Sequence, residues 1–307
     1  MTTLAVPFLL AVGGLLALQA AANVQLAGSM RSPLGGAAVQ LSIGAALLVG
    51  LAALLGSIGA LERLGDVPAW HLAGGVGSAI YVMAGILVFP RLGAIVSVGL
   101  FVTGQMLGSV LLDGSGWLGV EHDPVGAPVA LGVAAVIAGA LLIVRAQAGG
   151  ALEEAVRGRG GWIAVAIAAG AVLPVQGAVN AQLRGDLDAP LATGAWSFIV
   201  AAATMLLALA AALALSGRTP RPRAPSALPW WGWLGGFCGA VYVTSVFSLI
   251  PEIGVAPTVA LTVAGQQLAS VAVDRYGLLR LPRRTLSAAR LGGVALLLAG
   301  VVLIQAG

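Results

Sequence analysis

Two pairs of amide side chains occupy matched positions in distant apolar segments of the chain. Gln19 and Asn23 lie four residues apart, and Gln176 and Asn180 repeat that spacing. On a helix this spacing places both amides of a pair on one face, where they offer hydrogen-bond donors and acceptors without a buried charge. We interpret the pairs as two related amide ladders that line a cavity. Hydrogen bonds between helices, and a helix cap at Asn23, are the alternative interpretations.

A second set of polar side chains falls deeper in the apolar segments. Tyr81 and Tyr242 lie away from the membrane interface that tyrosine prefers, so each hydroxyl needs a partner inside the protein or a polar ligand. Cavity lining and helix packing are the two alternative roles for these tyrosines. Gln105 and Gln266 are interpreted as cavity-lining residues, with hydrogen bonds between helices as the alternative. Trp196 has no aromatic counterpart in the other half of the chain and is a further cavity candidate, with core packing as the alternative.

The matched residues follow two constant offsets along the chain. An offset of 157 residues relates the two amide pairs, and an offset of 161 residues relates the two tyrosines and the two deeper glutamines. A duplication with a short insertion explains both offsets, so residues 1–150 and residues 151–307 are predicted to be two copies of one unit. In a membrane protein, such a repeat indicates a transporter whose site lies between the halves.

The composition is that of an integral membrane protein. Of 307 residues, 59% are hydrophobic and 8% are charged, with a mean hydropathy of +1.03, and a soluble domain does not cover so much apolar surface with so few charges. Helices alone satisfy the backbone in such continuous apolar runs, so we predict an all-α protein with ten transmembrane helices. The first run also resembles a signal peptide, but its recurrence at 162–183 favours a membrane span. The predicted spans are about 4–22, 34–57, 68–89, 93–112, 128–146, 161–181, 191–215, 230–250, 254–273 and 287–305.

The arginines predict the orientation of these helices. Thirteen of the 15 arginines fall in the loops of one side, and the other two are Arg63 and Arg184. By the positive-inside rule the arginine-rich side is cytoplasmic, which places both termini outside. Equivalent loops carry opposite charge bias, since residues 121–123 contain no arginine and residues 275–284 contain four. Because each unit has five spans, we predict two five-helix repeats of inverted topology.

Several functional classes are not supported by the sequence. His71 and His122 lack companions at metal-ligand spacing, and no nucleophile and histidine fall at one membrane depth, so neither a metal site nor a hydrolase is predicted. We expect no enzyme activity and no cofactor, and the dispersed arginines form no nucleic-acid-binding face. Ionisable groups are essentially absent from mid-span positions, which favours a neutral, zwitterionic or anionic substrate.

Small residues mark the helices that are expected to pack closely. Gly104 and Gly108 are four residues apart, and Gly265 occupies the position equivalent to Gly104. Gly232 and Gly236 form a further pair with the same spacing. Because glycines at this spacing let two helix backbones approach each other, these five residues are predicted to lie at helix–helix contacts.

Several segments of the second half resemble one family of membrane proteins. They are residues 176–184, 190–192, 231–236, 242–245, 251–254, 264–266 and 274–277. Together they resemble the YdcZ family of the drug/metabolite transporter superfamily, in which a five-helix unit occurs singly, as oppositely oriented pairs, or fused. The resemblance implies a fused pair that covers the whole chain, and it implies no particular substrate. The first half departs from the family pattern at Val24 and Gln40, where a small residue and a serine are expected.

These features predict a secondary-type transporter of the bacterial cytoplasmic membrane. It is expected to move a small organic metabolite or drug-like solute by alternating access, in the direction of export. The expected partners are this solute and the lipid bilayer, and the fused pair is expected to function as a monomer, with a dimer left open. A lipid-headgroup flippase and a non-transporting membrane scaffold are the alternatives. A cavity that opens laterally to lipid would favour the flippase.

The arginine distribution predicts that the C-terminus faces away from the cytoplasm. Alkaline phosphatase fused at the C-terminus should therefore be active, and green fluorescent protein at the same place should be dark. A fusion in the arginine-rich loop near Arg223 is the matched control and should give the opposite pair of signals. Bright fluorescence with inactive phosphatase at the C-terminus would refute the predicted orientation.

Overall fold

The chain forms a bundle of long helices. The computed structural model describes residues 2–92, 94–148, 152–153, 157–216, 228–278 and 287–306, and ten long helices lie within them. They are α1 (Thr2–Met30), α2 (Pro33–Leu54), α3 (Gly74–Leu92), α4 (Ala94–Ser115), α5 (Ala127–Ala148), α6 (Gly160–Leu187), α7 (Pro190–Ser216), α8 (Gly235–Ile253), α9 (Val255–Tyr276) and α10 (Ala288–Ala306). Short 3-10 helices occupy Ile58–Asp66, Ala69–Ala73, Trp117–Gly119 and Trp230–Trp233.

All ten helices are long and apolar enough to cross a bilayer. Their apolar stretches contain 19 to 28 residues, close to the roughly 20 residues that span the hydrocarbon core. The predicted all-α architecture with ten spans is therefore confirmed. The arginines at positions 218–223 and 280–284, on which much of the orientation argument depends, lie outside the described residues.

The first helix of each half continues beyond its predicted end. α1 reaches Met30 and α6 reaches Leu187, because neither segment contains a helix stop before these residues. The chain then reverses at Arg31 (φ 50°) and Asp188 (φ 48°), which are equivalent under the offset of 157 residues. The next helix begins with a proline in both halves. Asn23 thus lies inside α1, and its interpretation as a helix cap is wrong.

Helices α4 and α6 touch backbone to backbone at two glycines. A Cβ at Gly104 of α4 would lie 1.9 Å from the carbonyl oxygen of Ile167 in α6. In the other direction, a Cβ at Gly170 of α6 would lie 2.2 Å from the carbonyl oxygen of Phe101 in α4. Real side-chain atoms do not approach this closely, so both positions need glycine.

The crossing of α1 and α9 repeats this geometry residue by residue. A Cβ at Gly265 of α9 would lie 2.0 Å from the carbonyl oxygen of Leu10, and a Cβ at Gly13 of α1 would lie 2.0 Å from that of Thr262. These four residues are the equivalents of the four at the other crossing, under the same two offsets. Each half therefore contributes one helix that packs between helices of the other half: α1 contacts α8 and α9, and α6 contacts α3 and α4.

The last helix of each half packs against its own equivalent. Glycines of α5 and α10 meet in two places, where a Cβ at Gly132 would lie 2.6 Å from the carbonyl oxygen of Gly300, and one at Gly139 would lie 2.6 Å from that of Gly293. The boundary between the two units at residue 150 lies outside the described residues and stays a prediction.

The glycine crossings predict a sharp difference between two kinds of alanine substitution. Gly104→Ala and Gly265→Ala should each destabilise the protein by about 1–3 kcal/mol or more, because the new methyl group overlaps a backbone carbonyl. Gly50→Ala in α2 is the matched control, since nothing lies within 4 Å of its Cβ position, and it should leave stability unchanged or raise it by about 0.4–1 kcal/mol. Thermal unfolding in detergent measures all three. Equal melting temperatures for Gly104→Ala and Gly50→Ala would contradict the crossing.

Candidate functional site

The first amide pair lies against the start of α8, beside a glutamine from α2. We call Gln19, Asn23 and Gln40 the first amide cluster. A Cβ at Gly239 would lie 2.9 Å from Nε2 of Gln19. A Cβ at Gly235 would lie 2.5 Å from Oδ1 of Asn23 and 3.4 Å from Cγ of Gln40. Two glycines of α8 therefore leave room for three amide side chains that come from the other half of the chain.

The second amide pair occupies the equivalent place against the start of α3. We call Gln176, Asn180, Ser78 and Ser197 the second amide cluster. The Ser78 hydroxyl donates to Oε1 of Gln176 at 3.0 Å, and Nδ2 of Asn180 donates to the Ser197 hydroxyl at 3.0 Å. A Cβ at Gly74 would lie 2.0 Å from Oδ1 of Asn180, an atom that has no hydrogen-bond partner among the described residues. All four side chains of this cluster are buried.

The two clusters differ at two equivalent positions. Gly239 occurs where the other half has Ser78, and Gln40 occurs where the other half has Ser197. In the first cluster Nε2 of Gln40 and Oδ1 of Asn23 are buried, and neither has a hydrogen-bond partner among the described residues. A buried donor or acceptor that stays unpaired costs about 1–3 kcal/mol. Each cluster thus keeps one unpaired asparagine oxygen, and the first keeps an unpaired donor as well, Nε2 of Gln40.

The two tyrosines lie at equivalent points in α3 and α8. Each is seven residues from the start of its helix, or about 10 Å along the helix axis. Tyr242 is buried near Thr262 of α9, whose hydroxyl donates to the carbonyl of Thr258 at 3.2 Å. The ring of Tyr81 packs against Phe101, with centroids 5.1 Å apart.

The two deeper glutamines differ in burial and lie apart from the clusters. Gln105 is 3% exposed, whereas Gln266 is partly exposed and its neighbour Gln267 is buried. Gln105 directly follows Gly104, and Gln266 directly follows Gly265, the glycines of the two helix crossings. Among the described residues, no hydrogen bond joins Gln105 or Gln266 to either amide cluster.

Trp196 lies outside the clusters and anchors the segment between α2 and α3. Its indole nitrogen donates to the carbonyl of Leu72 at 3.1 Å, and its ring packs in a small apolar cluster with residues of this segment. Close by, His71 pairs with Asp186, and Arg63 donates to a carbonyl at the end of α6. These contacts hold the segment over the end of α6 that carries the second amide cluster.

The remaining predicted packing glycines have unlike surroundings. A Cβ at Gly236 would lie 2.5 Å from the carbonyl oxygen of Gln40, so α8 and α2 touch beside the first amide cluster. A Cβ at Gly108 would lie 3.0 Å from a proline side chain of α6. Gly232 lies in the 3-10 helix before α8 and faces Leu228 of the same connection, so it is not part of a crossing between long helices.

A buried carboxylate ties the two halves together at the start of α9. Asp113, near the end of α4, accepts hydrogen bonds from the backbone N–H groups of Val255 at 2.9 Å and Ala256 at 2.6 Å. These are the free donors of the first turn of a helix, whose positive end also favours a negative charge. The preceding Gly254 has φ 87°. This cap gives Asp113 a structural role; the side chain of its equivalent Asp274 lies outside the described residues.

One surface cavity lies away from all of these side chains. It has a volume of about 330 Å³ and opens between the end of α1, α2 and α7. Its lining is largely apolar and consists of Met30, Gly35, Ala38, Val39, Ser42, Ile43, Ala46, Leu206 and Leu209. None of the predicted site residues lines it. In this conformation the amide clusters are packed within the bundle instead of lining that cavity.

Comparison with known proteins decides the family. A family model described as "Putative inner membrane exporter, YdcZ" matches residues 4–142 and, a second time, residues 161–303. The chain belongs to the YdcZ family. The two matches confirm the two-repeat arrangement, and together with the ten apolar helices they make this a multi-pass protein of the inner membrane. The family description is that of an exporter and not of an enzyme class.

The remaining comparisons bear on the fold alone. A solved chain described as "Crystal structure of protein" superposes with a TM-score of 0.68 at 17% sequence identity, and the match covers 99% of this YdcZ-family chain and 96% of the other. No curated protein matches the chain. The superposition over nearly the full length shows that the ten-helix bundle is shared with an experimentally determined structure.

Three polar residues of the clusters, Gln40, Ser197 and Ser78, are not among the site residues predicted from the sequence. Gln40 and Ser197 are equivalent under the offset of 157 residues, so the repeat is a signal that indicates both of them. Ser78 carries no such signal, because its equivalent is Gly239. Its role depends on the contact between α3 and α6.

The hydrogen bond between Asn180 and Ser197 predicts that removal of the Ser197 hydroxyl destabilises the protein. Ser197→Ala should lower the free energy of unfolding by about 1–3 kcal/mol, because it leaves Nδ2 of the fully buried Asn180 without its acceptor. Ser42→Ala in α2 is the matched control, since Ser42 is partly exposed and bonds to no described residue. Chemical or thermal unfolding measures the difference. Equal stability of the two variants would show that the Asn180–Ser197 bond contributes nothing.

Proposed function

We propose that this protein is a secondary transporter that exports a small, polar organic solute by alternating access. The observation that carries the proposal is the placement of the two amide clusters. Each cluster lies where a helix pair of one half meets a helix of the other half, and the two are equivalent under the repeat. Sites between repeats are the usual location for substrate in transporters built from inverted repeats.

The chain direction supports two half-sites at different depths. Asn23 lies in the last third of α1 and Asn180 lies in the last third of α6. Four spans lie between α1 and α6, so the two helices cross the bilayer in opposite directions and their C-terminal parts approach opposite faces. One cluster is then near the cytoplasm and the other near the outside. A solute could thus be held by one cluster before and by the other after a conformational change.

The chemistry of the clusters supports a neutral polar substrate. Amides and hydroxyls supply donors and acceptors, and the described side chains of both clusters contain no ionisable group. Asp113, the one buried carboxylate among the described residues, is already engaged by two backbone N–H groups. Since specificity in such sites comes from a few placed polar groups, the clusters suit a solute recognised through hydrogen bonds.

Reconstitution into vesicles tests the proposal directly. The purified protein should accelerate release of some members of a preloaded library of neutral, zwitterionic and anionic metabolites, relative to protein-free vesicles. Release of a labelled phospholipid across the bilayer, without release of any solute, would favour a flippase. Release of neither solute nor lipid would favour a membrane scaffold and would overturn the proposal.

The deeper glutamines give a residue-level prediction for the same assay. Gln105→Leu and Gln266→Leu should each weaken transport by roughly 2- to 12-fold, because each removes a hydrogen bond to a neutral group worth about 0.5–1.5 kcal/mol. Gln305→Leu at the exposed end of α10 is the matched control and should transport normally. Melting temperatures of all three variants separate a loss of transport from a loss of folding. Normal transport by both interior variants would remove these glutamines from the pathway.

A further inference from the structure

We propose that the first amide cluster is the half-site that takes up the solute, and that it recognises a neutral carboxamide-type group through one donated and one accepted hydrogen bond. This inference rests on the proposed transport function and names the substrate class of one half-site. The atoms that make the contacts are Oδ1 of Asn23 and Nε2 of Gln40. Both are buried, and neither has a partner among the described residues.

The side chains that carry these two atoms meet beside Gly235. The Cβ position of Gly235 lies 2.5 Å from Oδ1 of Asn23 and 3.4 Å from Cγ of Gln40. Gly235 itself contributes no side chain, and Gln40 is only 1% exposed. Amide side chains from α1 and α2 thus meet beside the backbone of α8, one with an unpaired acceptor and the other with an unpaired donor. A ligand group that carries both a donor and an acceptor complements this pair, and a carboxamide presents the two on separate atoms.

In the equivalent half-site, side chains of the protein form hydrogen bonds with the amides. There the amide of Asn180 donates to Ser197 and the amide of Gln176 accepts from Ser78, so the protein itself supplies partners. In the first cluster the short serine is replaced by the longer Gln40, and the second serine is absent. The second cluster therefore keeps one unpaired acceptor, Oδ1 of Asn180, whereas the first keeps an acceptor and a donor that a ligand can pair.

The surroundings of the first cluster disfavour a charged ligand. α1 and α2 contain no Asp, Glu, Lys or Arg, and the one charged residue of α8, Glu252, lies 17 residues beyond Gly235. A carboxylate or ammonium group would be desolvated here without an opposite charge, which is far more costly than burial of a neutral amide. Recognition by hydrogen bonds to a neutral group is the chemistry that remains.

Access to the cluster requires movement of α8. In this conformation both unpaired atoms are shielded from solvent, and α8 touches α2 at Gly236, where a Cβ would lie 2.5 Å from the carbonyl oxygen of Gln40. Separation of α8 from α1 and α2 exposes all three amides together. The predicted orientation places this end of α1 on the cytoplasmic side, so the opening admits solute from the cytoplasm, as export requires.

Binding of a simple probe tests the half-site on the purified full-length protein. Benzamide carries the proposed group, N,N-dimethylbenzamide lacks the donor, and benzoate is an anion of similar size. Benzamide should raise the melting temperature in a concentration-dependent manner, and the other two should not. Gln40→Met, which keeps the length of the side chain and removes its amide, should abolish the benzamide-induced shift. Gln305→Met at the exposed end of α10 should retain it.

The stability of the variants without ligand provides an independent readout. Gln40→Met and Gln40→Ser should melt at the same temperature as the natural protein or higher, because each removes an unpaired buried donor. A lower melting temperature for both would show that Gln40 pairs within the protein and would overturn the inference. The absence of any benzamide shift, or an undiminished shift in Gln40→Met, would overturn it as well.

The experiments distinguish refutation of the proposed binding site from refutation of the transport function. If reconstituted vesicles release solutes and Gln40→Met binds benzamide and transports like the natural protein, the half-site is refuted and the transport function stands. If benzamide binding depends on Gln40 and no solute is released from vesicles, the half-site stands as a binding site and the transport function is refuted.

Discussion

The structure depends on close backbone contacts between helices that come from opposite halves of the chain. Lipid is as apolar as the helix surfaces, so helices in a bilayer associate through packing and hydrogen bonds and not through exclusion of water. Gly104 against α6 and Gly265 against α1 allow that packing, because any side chain there would overlap a carbonyl group. With α1 held between α8 and α9, its amides necessarily face the glycines of α8.

A nearly symmetric scaffold thus carries two clusters with different chemistry. The contacts that position the clusters are equivalent in the two halves, down to the glycines beneath Asn23 and Asn180. The partners of those asparagines have diverged, since Ser197 accepts a hydrogen bond from Asn180, whereas Nε2 of the equivalent Gln40 has no partner among the described residues. In the proposed transport cycle, symmetry lets the two halves exchange conformations, and the difference between the clusters gives the two conformations unequal affinity for a ligand. Such a difference is what allows a ligand to shift a conformational equilibrium.

The sequence predicted much of the architecture and part of the site. The ten spans, the two repeats and the matched amides all followed from apolar run lengths and constant offsets. Helix ends were less predictable: α1 extends to Met30 because the reversal at Arg31 uses a positive φ that no sequence pattern marked. Trp196 was a cavity candidate by composition, and the structure shows it bonded to Leu72 at the end of the bundle.

The sequence by itself determined the class of protein, the number of spans and which residues are equivalent, because a bilayer restricts both length and hydropathy and a duplication preserves spacing. The tertiary structure alone decided which equivalent residues find partners. Ser78 reaches Gln176 over 98 positions of sequence, and Gly239 offers Gln19 no such group. These outcomes depend on how helices of opposite halves cross. The crossings are set by contacts between glycines and distant carbonyl groups. The spacing of the glycines indicates some of these positions, but it does not indicate which carbonyl group each one meets.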